Sequence, residues 1–178
     1  MNKKQIREEV RLRKLRFSKS ELFSMSENIC KSIINDGLWR ASTNVLLYNS
    51  LADEVDTQLL IKNAELYQKN ILLPVVEGEN LVLKVYSDKN SLKIGAFGIL
   101  EPTGKIFEEC DYHKINLAII PGMAFDKQKN RLGRGKGFYD RLLPKLTNAY
   151  KIGVCFPFQL LENIPNEEHD IKMNEVVC

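Results

Sequence analysis

INLAII, residues 115–120, is the segment that most restricts the fold of this chain. It is strongly apolar, short, and stopped by Pro121 and Gly122. An apolar run of that length between turn residues reads as a buried strand. NVLLY at 44–48, ILLPV at 71–75 and KIGVCF at 151–156 have the same character, and LVLKVY at 81–86 alternates like a further strand. Helical patterns lie between them. Residues 2–16 read as a basic helix turning Ile6, Val10 and Phe17 toward the protein. Ser18 and Glu21 have capping-box spacing, which starts a second helix near Lys19. Leu22, Met25, Ile29 and Ile33 recur along it at helical spacing, and Gly37 is expected to end it. Further helices are predicted over 57–68 and 137–146, with a short one at 157–161. Strands alternating with helices predict an α/β fold with a largely parallel sheet and helices on both faces.

In such sheets ligands bind beyond the carboxyl ends of the strands. Three polar segments fall there: NSLADEVDT after the first strand, PGMAFDKQKNRLGRGKG after INLAII, and the tail after KIGVCF. The second carries the chemistry. In RLGRGKGFYD, residues 131–140, Gly133, Gly135 and Gly137 alternate with Arg134 and Lys136. Glycine lets the backbone come close to a ligand, and bare N–H groups beside cations cradle anions. A helix following the loop would add its dipole. The loop is not a Walker A motif, since Gly137 follows Lys136, and its glycine spacing is not that of a dinucleotide fingerprint.

Charge supports an anionic ligand. The net charge is only +3, yet residues 127–145 hold Lys127, Lys129, Arg131, Arg134, Lys136, Arg141 and Lys145 against Asp140 alone. At 178 residues with 44% hydrophobic content, the chain suits one domain spanning 1–178. The cysteines form no CxxC pair, and Cys155 reads as a buried thiol. No apolar leader and no run of about 20 apolar residues is evident. The expectation is a reduced, cytoplasmic, monomeric protein bound to neither membrane nor nucleic acid.

PGMAFDKQKNRLGRGKGFYDRLL closely resembles the signature of the 5-formyltetrahydrofolate cyclo-ligase family. KKQIR at the start, LADEVDT, FGILEP at 97–102 and EEHDIKMNEVV agree in order and spacing. The resemblance covers nearly the whole chain. It implies a three-layer α/β/α fold similar to the sugar-phosphate isomerase and CoA-transferase class. It also implies ATP- and Mg²⁺-dependent closure of 5-formyltetrahydrofolate to 5,10-methenyltetrahydrofolate, releasing ADP and phosphate.

Residue roles follow from the resemblance, position by position. Arg131, Gly133, Arg134, Gly135, Lys136, Gly137, Phe138 and Tyr139 would wrap the ATP phosphates, with Arg134 and Lys136 stabilising charge during transfer. Lys3 and Arg7 match nucleotide-contacting positions and, four apart, share one helical face. Asp140 and Asp170 match the magnesium positions. Glu54 matches the acid that recognises the pterin, with Tyr48 and Asn49 walling the folate site. Phe97 matches an aromatic that packs on the folate; its own surroundings in the sequence equally suit an ordinary core residue. His169, beside Asp170, receives no catalytic role. Asn174 stands where many members have Asp, and Phe138 where many have Tyr; neither departure alters the roles assigned above. Read without the family, the residues leave two other classes open. One is a sugar-phosphate isomerase, which needs an enolisation base and no ATP. The other is a nucleic-acid module, which needs broader positive charge and exposed aromatics than a pI near 8.6 suggests.

Overall fold

The computed structural model describes residues 1–167 and 170–178, with Phe97 described by its backbone alone. The expected strands appear as β1 (Asn44–Leu46), β2 (Asn70–Glu77), β3 (Asn80–Tyr86), β6 (Leu117–Pro121) and β9 (Tyr150–Val154). With β11 (Glu175–Val177) they form one sheet in the order β11-β9-β6-β1-β2-β3. Every neighbouring pair is parallel except β2 and β3, which form a hairpin.

Period-two alternation divides the core between the sheet's faces. Val45, Ile71, Leu73, Leu117, Ile119, Ile152 and Val154 face one way. They meet Ile29, Cys30 and Ile33 of α2 (Lys19–Asn35), Trp39 of α3 (Gly37–Ala41), and Leu60, Ile61 and Ala64 of α4 (Gln58–Leu66). Leu46, Leu72, Ala118 and Ile120 face the other way, against Tyr112, Phe125, Leu142, Leu143 and Leu146. The architecture is therefore a three-layer α/β sandwich with a largely parallel central sheet.

Local chemistry explains the element ends. Ser18 accepts from the Glu21 backbone, and the Glu21 carboxylate accepts from Ser18, so the capping box starts α2 as expected. Asn2 and Gln5 form a second such box that starts α1 (Lys3–Lys14). Gly37 does not terminate α2. That helix stops at Asn35 because Asp36 turns extended and caps α3, whose first residue is Gly37. Lys69 Nζ then donates to the Trp39 carbonyl at 2.7 Å, capping the far end of α3.

The helix expected over 137–146 is shorter. α5 spans only Phe138–Leu142 and tightens into a 3-10 turn at Leu143–Lys145, since Pro144 offers no N–H. The region expected as a helix at 157–161 is a 3-10 turn, Pro157–Gln159, followed by a strand, β10 (Leu160–Leu161). PGMAFDKQKNRLG is likewise more than loop. It folds into the hairpin β7 (Ala124–Asp126) and β8 (Arg131–Leu132), which joins β10 in a small sheet. Ile6 and Val10 of α1 pack on this small sheet, against Met123, Ala124 and Leu132, and not on the central one. Asp126 is fully buried in the hairpin turn, accepting from Asn130 N and Ile164 N at 2.8 and 2.9 Å. A second hairpin, β4 (Leu92–Ile94) with β5 (Leu100–Pro102), stands beyond the end of β1.

Candidate active site

A cavity of about 390 Å³ opens at the carboxyl ends of β1 and β6. One wall is the glycine loop from Gly133 to Asp140 with Arg131 behind it. Another is Tyr48, Asn49, Leu51 and Glu54 from the segment after β1. Pro74, Val76, Leu81, Ile99 and Glu101 complete it from the two hairpins. Parallel strands bring these segments together by ending at one edge, although 80 residues separate Glu54 from Arg134.

The loop's shape depends on glycine at two positions. Gly135 and Gly137 have φ of +97° and +70°, which side-chain-bearing residues rarely adopt. Gly137 also precedes the first residue of α5. With only five residues in α5, the helix dipole expected at the loop is slight. The cations carry the positive potential instead. Arg131 is only 5% exposed at its side chain and so is not a surface cation. Its guanidinium donates to the Pro121 carbonyl at 3.2 Å and to Asp140 at 2.6 Å, and lies 5.3 Å from the Tyr139 ring centroid. Such a buried fork holds the loop against the sheet end. Arg7 Nε donates to the Gly133 carbonyl at 2.8 Å, fastening α1 to the same loop.

Arg134 reaches across the cavity. Its Nη2 and Nε lie 3.1 and 3.2 Å from Glu54 Oε1, and it also pairs with Asp53. The other Glu54 oxygen accepts from Leu51 N at 3.0 Å, and the Glu54 side chain is 14% exposed. Burial pushes the Asp53 carboxyl up, but Arg134 outweighs it and holds it below its ordinary value. Burial pulls Arg134 down, and the two carboxylates overcome this. Burial, reinforced by Glu54, drives the Tyr48 and Tyr139 hydroxyls upward, so both are neutral walls. Tyr48 donates to the Val55 carbonyl at 3.0 Å, and Asn49 to the Leu100 carbonyl at 2.7 Å.

The depressed Asp53 value has a sign. Its pair with Arg134 stabilises fully above the unfolded value near 3.8 and is lost as pH falls through the lower folded value. The stability difference between the parent and Asp53→Asn, read by chemical denaturation, is expected to be small at pH 7 and to vanish in strong acid.

Tyr48, Asn49, Glu54, Arg131, Gly133 to Tyr139, and Asp140 thus share one cavity. Lys3, Arg7 and Asp170 do not line it. Lys3 Nζ pairs instead with Glu167 at 3.0 Å and Asp170 at 3.2 Å, tying α1 to the tail. Glu168, His169 and the side chain of Phe97 lie outside the described residues. No group of three or more His, Cys, Asp or Glu suited to a metal occurs among the described residues. Asp140, half-exposed at the cavity, matches a different requirement: Mg²⁺ takes one or two carboxylates and completes its shell with phosphate oxygens and water. Two charged lining residues escaped the sequence reading, Arg11 and Glu101. Arg11 had a signal, because Lys3, Arg7, Arg11 and Lys14 recur on one helical face. Glu101 had none beyond its place in FGILEP.

Ligand-sized, apolar on one side and lined by opposed charges on the other, the cavity is that of an α/β enzyme. The model of the 5-formyltetrahydrofolate cyclo-ligase family matches residues 1–178. The chain belongs to that family. It is 34% identical over 139 residues to the 5-formyltetrahydrofolate cyclo-ligase of Escherichia coli strain K12, covering 75% of this chain and 76% of that one. It is 29% identical over 180 residues to that of Haemophilus influenzae, covering 98% and 96%. The structure of Aquifex aeolicus 5,10-methenyltetrahydrofolate synthetase superposes with a TM-score of 0.87 at 33% identity, covering 99% of this chain and 89% of that one. The Mycoplasma pneumoniae synthetase, at 22% identity and a TM-score of 0.80, shares the fold. No helix among the described residues is long and apolar enough to cross a membrane.

Proposed function

We propose that this chain uses ATP and Mg²⁺ to close 5-formyltetrahydrofolate to 5,10-methenyltetrahydrofolate, releasing ADP and phosphate. The observation that carries the reading is the meeting of the cationic glycine loop with Glu54 in one cavity, Arg134 to Glu54 at 3.1 Å. A phosphate cradle and a folate-sized, partly apolar space there share a boundary where two substrates can react.

A formamide carbon is a poor electrophile, and its oxygen leaves poorly. The formyl oxygen attacks the γ-phosphorus as the bond to ADP breaks, giving a phosphorylated imidate. Nitrogen 10 then adds to the formyl carbon, phosphate departs with its oxygen, and nitrogen 10 loses its proton. The protein must align oxygen and phosphorus and neutralise charge on the phosphoryl oxygens. Lys136 and Arg134 supply that charge, and the Gly133–Gly137 backbone supplies N–H donors. Arg131 and Arg7 act indirectly by holding the loop. Asp140 would hold Mg²⁺ entering with the nucleotide, which offsets phosphate charge when bound. The second proposed ligand, Asp170, accepts from Lys3 at Oδ2. No covalent nucleophile is required.

Purified protein with 5-formyltetrahydrofolate should develop the near-ultraviolet absorbance of the methenyl product only when both ATP and Mg²⁺ are present. Absorbance growth without ATP, or none in folded protein, would overturn the proposal. Within it, Glu54→Gln is expected to weaken folate binding about 10-fold and ATP binding less than about 2-fold. Titration of each ligand by intrinsic fluorescence checks this. Equal loss of both would show that Glu54 acts through Arg134 and not on the folate.

A further inference from the structure

Glu101 is a buried carboxylate, 5% exposed, in a wall otherwise made by Pro74, Val76, Leu81 and Ile99. It makes no ion pair among the described residues. Its hydrogen bonds are two long ones at Oε1, from Val76 N and Ala96 N, each 3.3 Å. Val76 N is available because β1 stops opposite Leu72, leaving the far end of β2 without a strand on that side. The other oxygen, Oε2, lies over bare backbone. A Cβ built on Gly95 would stand 2.0 Å from it, so only glycine there admits the carboxylate. Burying a charge in apolar surroundings with such weak compensation costs stability unless a ligand completes its shell.

Glu54 cannot serve every donor of the substrate. Its Oε1 is engaged by Arg134 and its Oε2 by Leu51 N. The reduced pterin ring presents N–H donors at N3 and the 2-amino group on one edge and at N8 on another, so a single carboxylate facing one edge does not reach them all. We infer that Glu101 is a second acidic anchor for the pterin ring, accepting ring N–H donors at Oε2 and so selecting 2-amino-4-oxo pteridines. This rests on the folate reading above. It makes Glu101 a binding residue for the ring, remote from phosphoryl transfer.

The test compares the parent with Glu101→Gln and Glu101→Leu. Gln retains an oxygen acceptor for Val76 and Ala96 but presents an amide N–H₂ where Oε2 stands, so it keeps the fold while opposing the ring donors. Dissociation constants are measured for 5-formyl- and 5-methyltetrahydrofolate and for ADP, with thermal unfolding alongside. The expected result is a loss of about 10-fold or more for both folates in Glu101→Gln, larger in Glu101→Leu. The loss should be equal for the two folates because the N5 substituent is not involved. ADP affinity, the unfolding midpoint of Glu101→Gln and its kcat at saturating folate should hardly change, so the effect falls on KM. Folate affinity unchanged in both variants overturns the assignment, as does a parallel loss of ADP and folate. Parent protein that binds no folate overturns the cyclo-ligase reading and this assignment with it, whereas parent binding with indifferent variants overturns the assignment alone.

Discussion

Lys136→Ala is expected to lower turnover by about 100-fold to 1,000-fold, the usual cost of removing one charge stabiliser from a transition state. Lys136 lines the cavity between Gly135 and Gly137, both at positive φ. Loss of its side chain leaves the backbone path of the loop intact. Stability should therefore stay within about 0.5 kcal/mol of the parent. Arg134→Ala should lower turnover comparably but differs in one respect: it strips Asp53 and Glu54 of their common partner. Weaker folate binding should accompany the slower turnover only in that variant. The methenyl absorbance assay measures the rates, and thermal unfolding monitors the fold. Normal turnover in both variants would remove the glycine loop from phosphoryl transfer.

Phe125→Ala should be the most destabilising single change considered, by about 3–5 kcal/mol. The Phe125 ring is fully buried and occupies space that two glycines leave open. A Cβ on Gly153 would stand 2.3 Å from it, and one on Gly122 would stand 2.6 Å from it. The ring thus wedges the β7–β8 hairpin against β6 and β9, just where Pro121 and Gly122 enter the cavity wall. Flanking glycines cannot refill the hole, so a cavity remains. For a chain of this size the midpoint should fall by about 6–20 °C. Gly153→Val should destabilise too, by overpacking the same ring. A loss below about 1 kcal/mol in Phe125→Ala would mean that the surrounding helices close over the space.

The central strands could be read from the chain because burial on both faces leaves near-continuous apolar runs. The start of α2 could be read because its cap is encoded within four residues. Gly37 misled because Asp36, an equally local signal, begins a new helix one residue earlier. The strands β4, β5, β7, β8, β10 and β11 were missed because two or three residues carry too little periodicity to register. β10 and β11 pair with strands distant in the chain, β7 and β9, which supply what the local pattern lacks.

The family motif placed Glu54, Arg134, Lys136 and Asp140, and all of them line the cavity. It did not reveal that Arg131 is buried, that Arg134 spans to Glu54, or that Lys3 holds Asp170. By itself the sequence determined the α/β class, the cationic glycine loop and the capped helices. Each rests on neighbours within a few residues, where backbone sterics and periodicity act. Tertiary structure alone decided that α1 packs on the small sheet and that Glu101 stands in an apolar wall with only two long hydrogen bonds. Those facts depend on which distant surfaces exclude water from one another, and no local pattern records that.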